Sequence, residues 1–224
     1  MIGGTERREV MIQTIRWTIF LVGVMIFSLG ISTAIRVQYL GVHPWDVLNV
    51  GLYEKVGFSI GTWNIIISVL LIIVSWILDK SYIRIGTFFN AILVGLFVDF
   101  YLWTDILPVT THSWTDILIM ISGIIIMGLG GGIYNAAGVG SGPRDGFMLS
   151  ISDKLHAPIG RIRIITESTV LVIGLLLGGP VFFFTFIFTF IQSPIFQYTY
   201  KRCKHRIDHF ETRHLQKQSR NPGA

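Results

Sequence analysis

Five charged side chains stand where the surrounding sequence is apolar, and they carry the chemistry this chain can offer: Asp46, Arg144, Asp145, Arg163 and Glu167. Asp46 and Asp145 each follow a proline, Pro44 and Pro143, by two residues. Glu167 lies nine residues into its apolar stretch, which at ~1.5 Å per residue puts it about 13 Å deep in a membrane helix. Arg163 precedes it by one helical turn, so an intrahelical ion pair is feasible. Ionisable groups at such depth face a cavity or a partner, because facing lipid is costly. The arginines would hold anionic groups through a bidentate fork, and the carboxylates would bind a cation or a proton. Structural roles remain open beside these. The aspartates can cap helix N-termini, Arg144 can be an interfacial cation, and Arg163 with Glu167 can be a buttress.

Catalytic signatures are missing. No serine–histidine–aspartate set, zinc-protease helix motif or Walker sequence occurs, and no lysine follows the glycine run at Gly128 and Gly130-Gly131-Gly132. Cys203, His205 and His209 have spacing that could hold zinc, but nothing nearby completes a ligand set. No enzyme activity, cofactor or metal is expected.

The two proline–aspartate pairs belong to a longer pattern. Gly41-Val42-His43-Pro44-Trp45-Asp46 answers Gly140-Ser141-Gly142-Pro143-Arg144-Asp145 at a spacing of 99. Gly61 then matches Gly160 in the same register. Upstream, Gly30 meets Gly130, and downstream Thr87, Gly95 and Asp99 meet Thr185, Ser193 and Gln197 at a spacing of 98. Each proline fits the first turn of a short helix, where its missing N–H would be unpaired anyway. Leu48, Leu52 and Val56, and likewise Phe147, Ile151 and Leu155, mark an apolar stripe; Gly57 ends the first helix and Pro158 bounds the second.

Long apolar runs position these motifs. Half of the residues are hydrophobic (51%) and 14% are charged, too few to give every helix of a soluble domain a wet face. Trp17–Ile35, Gly61–Leu78, Ile117–Gly142 and Val181–Tyr200 contain no charge, while Ile85–Trp103 carries Asp99 alone and Pro158–Gly179 carries Arg161, Arg163 and Glu167. Each run is near or above the ~18 residues that read as a membrane span. The first follows Arg7 and Arg8 and ends in Ser32-Thr33-Ala34, like a signal peptide, but cleavage would remove a span of the repeat, so it is read as retained. The expected fold is an all-α membrane protein of six transmembrane helices, built as two inverted three-helix repeats. Each repeat carries one short re-entrant or interfacial helix. The divisions are a cytoplasmic N-terminus (1–14), a first repeat (15–103), a linker (104–116), a second repeat (117–200) and a basic tail (201–224).

Charge fixes the orientation. Of 18 Lys and Arg residues, all but Arg36 and Lys55 fall on one side of the six-span arrangement, which places both termini in the cytoplasm. The net charge of +5 needs no nucleic acid to explain it. Asp99 reads as solvated at its span's outer end, and Asn64, Asn90 and Asn135 read as interhelical hydrogen-bonding groups. Gly128, Gly132, Gly174 and Gly178 permit close helix approach within the fold. One cysteine excludes an internal disulfide framework.

At the paired motifs the chain resembles the YczE/YyaS/YitT family of bacterial multi-pass membrane proteins. The residues that carry the likeness are Leu40–Leu48, Ile60-Gly61-Thr62, Ile85-Gly86-Thr87, Gly138–Asp145, Ile159–Arg163, Glu167 and Leu177-Gly178-Gly179. Where family members often carry a further glycine-rich turn, this chain has Pro180–Thr185. The resemblance implies a bacterial plasma-membrane location and names no substrate. The leading expectation is a small permease passing an unknown small solute through a site lined by Asp46, Arg144, Asp145, Arg163 and Glu167. The alternative is a membrane regulator or scaffold whose basic tail meets a protein partner or anionic lipid.

Overall fold

The computed structural model describes residues 3–79, 81, 83–104, 106–157 and 159–220. Its helices are α1 (Gly3–Arg36), α2 (Pro44–Val56), α3 (Ile60–Leu78), α4 (Ile85–Trp103), α5 (Thr115–Ala136), α6 (Pro143–Leu155), α7 (Ile159–Leu176) and α8 (Phe183–Arg220), with a 3₁₀ turn at Gln38–Leu40. No strand occurs among the described residues. The protein is all-α.

Four segments are long and apolar enough to cross a membrane: Glu9–Arg36 within α1, and α3, α4 and α5. The sequence led us to expect six. Helix α7 carries Arg161, Arg163 and Glu167 in 18 residues, and the apolar part of α8 is broken by Gln192, Ser193 and Gln197. Leu70, Ile77, Leu96, Phe186 and Phe190 project outward, each more than half exposed. Hydrating such side chains costs roughly 1.5–3 kcal/mol apiece, so this exterior favours lipid over water.

Glycine sets the central crossing. A Cβ on Gly30 would collide with the backbone at Met127, one on Gly130 with the backbone at Phe27, and one on Gly23 with the backbone at Tyr134. Rising numbers in α1 meet falling numbers in α5, so the two helices are antiparallel at close range. Around them lie Phe20, Val24, Met120, Ile124, Met127 and Phe188, all fully buried. Helix α4 runs parallel to α1: Ser28 and Ser32 donate to the carbonyls of Val94 and Val98, each at 3.3 Å. Helix α8 runs parallel to α5, with Gly128 against Gln192 and Ile195 and Gly132 against Phe196 and Thr199. The short helices cross over: α2 packs on α7, and α6 packs on α3.

Several expectations change on these contacts. Asp99 is half-buried and engaged within the fold; its carboxylate accepts from Ser59 Oγ and, at 2.8 Å, from Gly61 N–H. It thereby satisfies orphan donors at the start of α3, and Gly61 itself packs on Gly95. The stripes on α2 and α6 are half-buried at their near ends and open at their far ends. Leu48 and Phe147 pack against the cluster of Trp45, Leu71, Met148, Ile162 and Val170, whereas Val56 and Leu155 are exposed. The linker is shorter than expected because α5 already begins at Thr115, and α8 continues as helix beyond Lys201 where the sequence reads as a polar tail. The Pro158 boundary lies outside the described residues.

The two ends of the bundle differ. On one face, Arg16 forms a bidentate pair with Glu211 at 2.6 and 2.8 Å, bringing the α1 start to the α8 extension. Arg16 also reaches the carbonyl of Ala137, and Arg84 that of Gly138. On the other face, buried Asp116 accepts from the Tyr39 hydroxyl at 2.6 Å, the Thr111 N–H and hydroxyl, and the His112 N–H. That bond to Asp116, with burial, pushes the Tyr39 phenol up to about 12, so it stays a donor.

Candidate functional site

The proline-led helices meet at their first turns. Pro44 opens α2 and Pro143 opens α6, with Asp46 and Asp145 inside the respective first turns. Between them lies Arg144. Its Nη2 donates to Asn64 Oδ1 at 2.8 Å, stands 3.5 Å from Asp46 Oδ1, and its guanidinium lies 5.3 Å from the Trp45 ring centre. A hydrogen bond, an ion pair and a cation–π contact thus hold one arginine from α2 and α3. The pair is shielded from water, with the Asp46 side chain 2% exposed and that of Arg144 17%. Arg163 of α7 makes a second and more open pair, 3.2 Å from Asp145, with side chains 42% and 32% exposed.

Both pairs border a cavity of about 610 Å³. Arg144, Asp145, Arg163 and Glu167 line it; Asp46 does not, and acts on it only by holding Arg144. Four of the five expected pathway residues therefore share one chamber, and the fifth braces it. A second cavity, about 570 Å³, shares Asp145, Met148, Arg163, Phe196 and Tyr200 with the first and extends to Arg84 and Gly138. The chamber thus continues towards the face that carries Arg16 and Glu211. Towards the opposite face, Val42, Val50 and Val98 are at most 1% exposed.

The motif residues fill structural places around this chamber. Trp45, Gly142 and Pro143 line it. Gly41, in the left-handed region at φ 103°, lies against Thr185 at the start of α8; Gly140 lies against Gly86 and Thr87 at the start of α4. Both threonines cap their helices alike: Arg84 N–H donates to Thr87 Oγ1, and Phe182 N–H to Thr185 Oγ1, each at 3.3 Å. Gly61 and Gly130 serve the helix crossings described above, and Gly160 lies in the first turn of α7.

Sequence reasoning underrated several wall residues. Asn64 and Ser68 of α3 line the cavity, as do Asn90, Tyr134, Gln192 and Gln197. Asn64 and Ser68 stand 99 residues before Arg163 and Glu167, so the repeat spacing itself was the signal that could have found them. Asn90 makes no interhelical bond through its Nδ2, although it is 4% exposed; His43 Nδ1 and Trp45 Nε1, also on the cavity wall, are likewise buried without a protein partner. Asn135 instead returns its amide to Gly131 of its own helix. The polar residues that make α7 and α8 less apolar than ordinary spans are largely those of the cavity wall: Arg163, Glu167, Gln192, Ser193 and Gln197. Chemically, the chamber offers fixed charges of both signs, amides and hydroxyls, which suit binding.

Residues 14–201 match the family of unknown function DUF6198. The chain belongs to this family. The matched stretch takes in every lining residue of the chamber, from Phe27 to Lys201. The chain is 31% identical over 185 residues to the uncharacterized membrane protein YczE of Bacillus subtilis (strain 168), covering 83% of this chain and 85% of that one. It is 32% identical over 161 residues to the uncharacterized protein YyaS of the same organism, covering 71% and 80%. An uncharacterized protein of Haemophilus influenzae is 31% identical over 181 residues, covering 79% and 82%. No solved structure matches. Membership in the YczE and YyaS group, seen first in the motifs, is thereby established, and with four helices apolar enough to cross a bilayer the chain is a membrane protein.

Proposed function

We propose that this DUF6198 protein is a multi-pass permease of the bacterial plasma membrane, moving a small solute through the chamber between two inverted repeats. In this reading α7 and the first part of α8 also cross the bilayer, giving six spans, and both termini are cytoplasmic. Their polar residues face the chamber, where lipid does not reach them. The protein is not an enzyme.

One observation carries the reading: contacts come in exchanged pairs, yet the exchanged residues differ in exposure. Gly30 against Met127 is answered by Phe27 against Gly130, and Gly41 against Thr185 by Thr87 against Gly140. Ser28 against Val94 is answered by Gly128 against Gln192. A two-fold axis lying in the membrane plane would relate such pairs, since α1 and α5 are antiparallel. Despite this correspondence, Asp145 is 32% exposed where Asp46 is 2%. Transporters of this construction alternate by exchanging the conformations of their halves around a fixed site. Here one side is open and its counterpart shut, as one end state of such a cycle requires.

Cysteine labelling tests it. In a Cys203→Ser background, Leu149→Cys on the open side should react with a polar maleimide in membranes, while its counterpart Val50→Cys should not. Flux of labelled metabolites into proteoliposomes should stop with Glu167→Gln at unchanged folding. Normal flux in that variant, or equal labelling of both cysteines under all conditions, would overturn the proposal.

A second reading is favoured by α8, whose helix runs on through Lys201, Arg202, Lys204 and Arg206 beyond the apolar stretch. A regulator or scaffold would use this basic arm to meet a protein partner or anionic lipid. Deleting residues 205–224 would then abolish activity, whereas a permease would retain flux.

A further inference from the structure

In the first cavity the ionic groups balance once Asp46, behind Arg144, is counted. Arg144, Arg163 and Lys201 are its cations, and Asp145 and Glu167, with Asp46 behind Arg144, its carboxylates. A net anion or cation that displaced water from the site would leave one fixed charge in surplus, at a cost that grows as water is excluded. A ligand carrying both charges avoids that. The two pairs are also unequal. Arg144 is fixed by Asp46, Asn64 and Trp45, whereas Arg163 and Asp145 form a half-exposed pair of the kind that is individually weak and easily exchanged. Glu167 is one helical turn from Arg163 on the same face of α7. A carboxylate arriving at Arg163 and an ammonium arriving at Asp145 would replace one ion pair with two.

Another part of the lining is apolar. Phe27, Val94 and Met127 form it from α1, α4 and α5, beside Asn90, whose Nδ2 is buried without a protein partner. A chamber of about 610 Å³ is far larger than a charged head alone would fill.

We infer that the chamber binds an amphipathic zwitterion: a carboxylate and an ammonium on neighbouring atoms, with an apolar side chain, as in a large apolar α-amino acid. Arg163 and Asp145 take the charged end, and the Phe27–Met127 wall takes the side chain. This ligand class rests on the permease reading for its use, but binding can be measured without transport.

The test is calorimetric titration of the purified full-length protein in detergent with leucine, methionine and phenylalanine. The controls are 4-methylpentanoate, which lacks the ammonium, 3-methylbutylamine, which lacks the carboxylate, and glycine, which lacks the side chain. At least one of the three amino acids should bind about tenfold or more tighter than every control. Asp145→Asn, checked for an unchanged melting profile, should remove that preference over 4-methylpentanoate. Failure of all three amino acids to bind, or equal binding of either single-charge control, overturns the inference. Flux into proteoliposomes is run beside it. Binding without flux would sink the permease reading alone, and flux of another solute class without amino-acid binding would sink the zwitterion alone.

Discussion

Helices α2 and α6 are each 13 residues long, start at a proline, carry an aspartate in the first turn and end in a basic last turn. Their surroundings part company from there. The N-terminal turns of α2 are closed in: Trp45, Asp46, Val47, Asn49 and Val50 are all buried. In α6 the same stretch alternates, with Arg144, Asp145, Phe147 and Leu149 only half-buried. The cause lies in the partner helices. Helix α2 packs on α7 and the turn after it through Gly51, Gly174 and Gly179, whose missing side chains let the backbones approach closely beside Val47 and Leu177. Helix α6 faces α3, where Asn64 is engaged by Arg144, and borders the second cavity instead. Two like sequences therefore end up differently, one closed in and the other bordering a cavity, because their neighbours differ.

The largest effect should separate the two aspartates. Asp46→Ala removes the buried carboxylate that faces half-buried Arg144, a loss of about 3 kcal/mol by analogy with broken buried pairs. Asp145→Ala breaks a half-exposed pair and should cost about 1 kcal/mol or less. Melting in detergent followed by circular dichroism reads both. Equal losses would mean the two turns are equally buried in the membrane, and the contrast would fall.

Next come the crossings that make the halves comparable at all. Gly30→Leu and Gly130→Leu each force a side chain into the backbone of the facing helix, so both should cost about 1–3 kcal/mol, and by similar amounts. Folded yield on size-exclusion chromatography is the measure. A tolerated Gly130→Leu beside a disrupted Gly30→Leu would show that the α1–α5 contact is not balanced about a two-fold axis.

How much of this was legible beforehand follows from the range of each signal. Proline at a first helical position is local chemistry, so the starts of α2 and α6 could be read from Pro44 and Pro143 alone. The 99-residue spacing is also local information, merely repeated, and it pairs Trp45-Asp46 with Arg144-Asp145. Which helix each would meet was not legible. That Arg144 engages Asn64 and Asp46 depends on interhelical distances set by glycines scattered over α1, α3, α5 and α7. Apolarity is a weaker guide where helices carry polar residues. Four helices are apolar enough to cross a membrane where six were expected, because Arg163 and Glu167 in α7 and Gln192, Ser193 and Gln197 in α8 face the cavity. Asp99 looked solvated because its partners, Ser59 and Gly61, come from the preceding helix.

Arg144 and Trp45 allow a sharper comparison, since they occupy matching positions and touch each other. Exchanging them, Trp45→Arg with Arg144→Trp, retains the ring and the guanidinium but moves the cation to the closed side. Each single change should lose the stacking contact, worth roughly 1–2 kcal/mol when shielded from water. The double variant should recover roughly 1 kcal/mol of the summed loss if the turns are interchangeable. Full additivity in a double-mutant cycle would mean that the turns only happen to be neighbours.

The smallest effect should be the most even. Thr87 and Thr185 make the same bond at the starts of α4 and α8, and neither hydroxyl is needed for the charges of the chamber. Thr→Val at either place removes one acceptor for one backbone N–H and keeps the side-chain volume, so each should cost about 1 kcal/mol. Here the halves should agree where the aspartates disagree. If Thr185→Val proved several-fold costlier than Thr87→Val, the asymmetry would reach beyond the chamber to the frame that holds it. Matched losses would confine it to the two first turns, where Trp45 stands against Arg144.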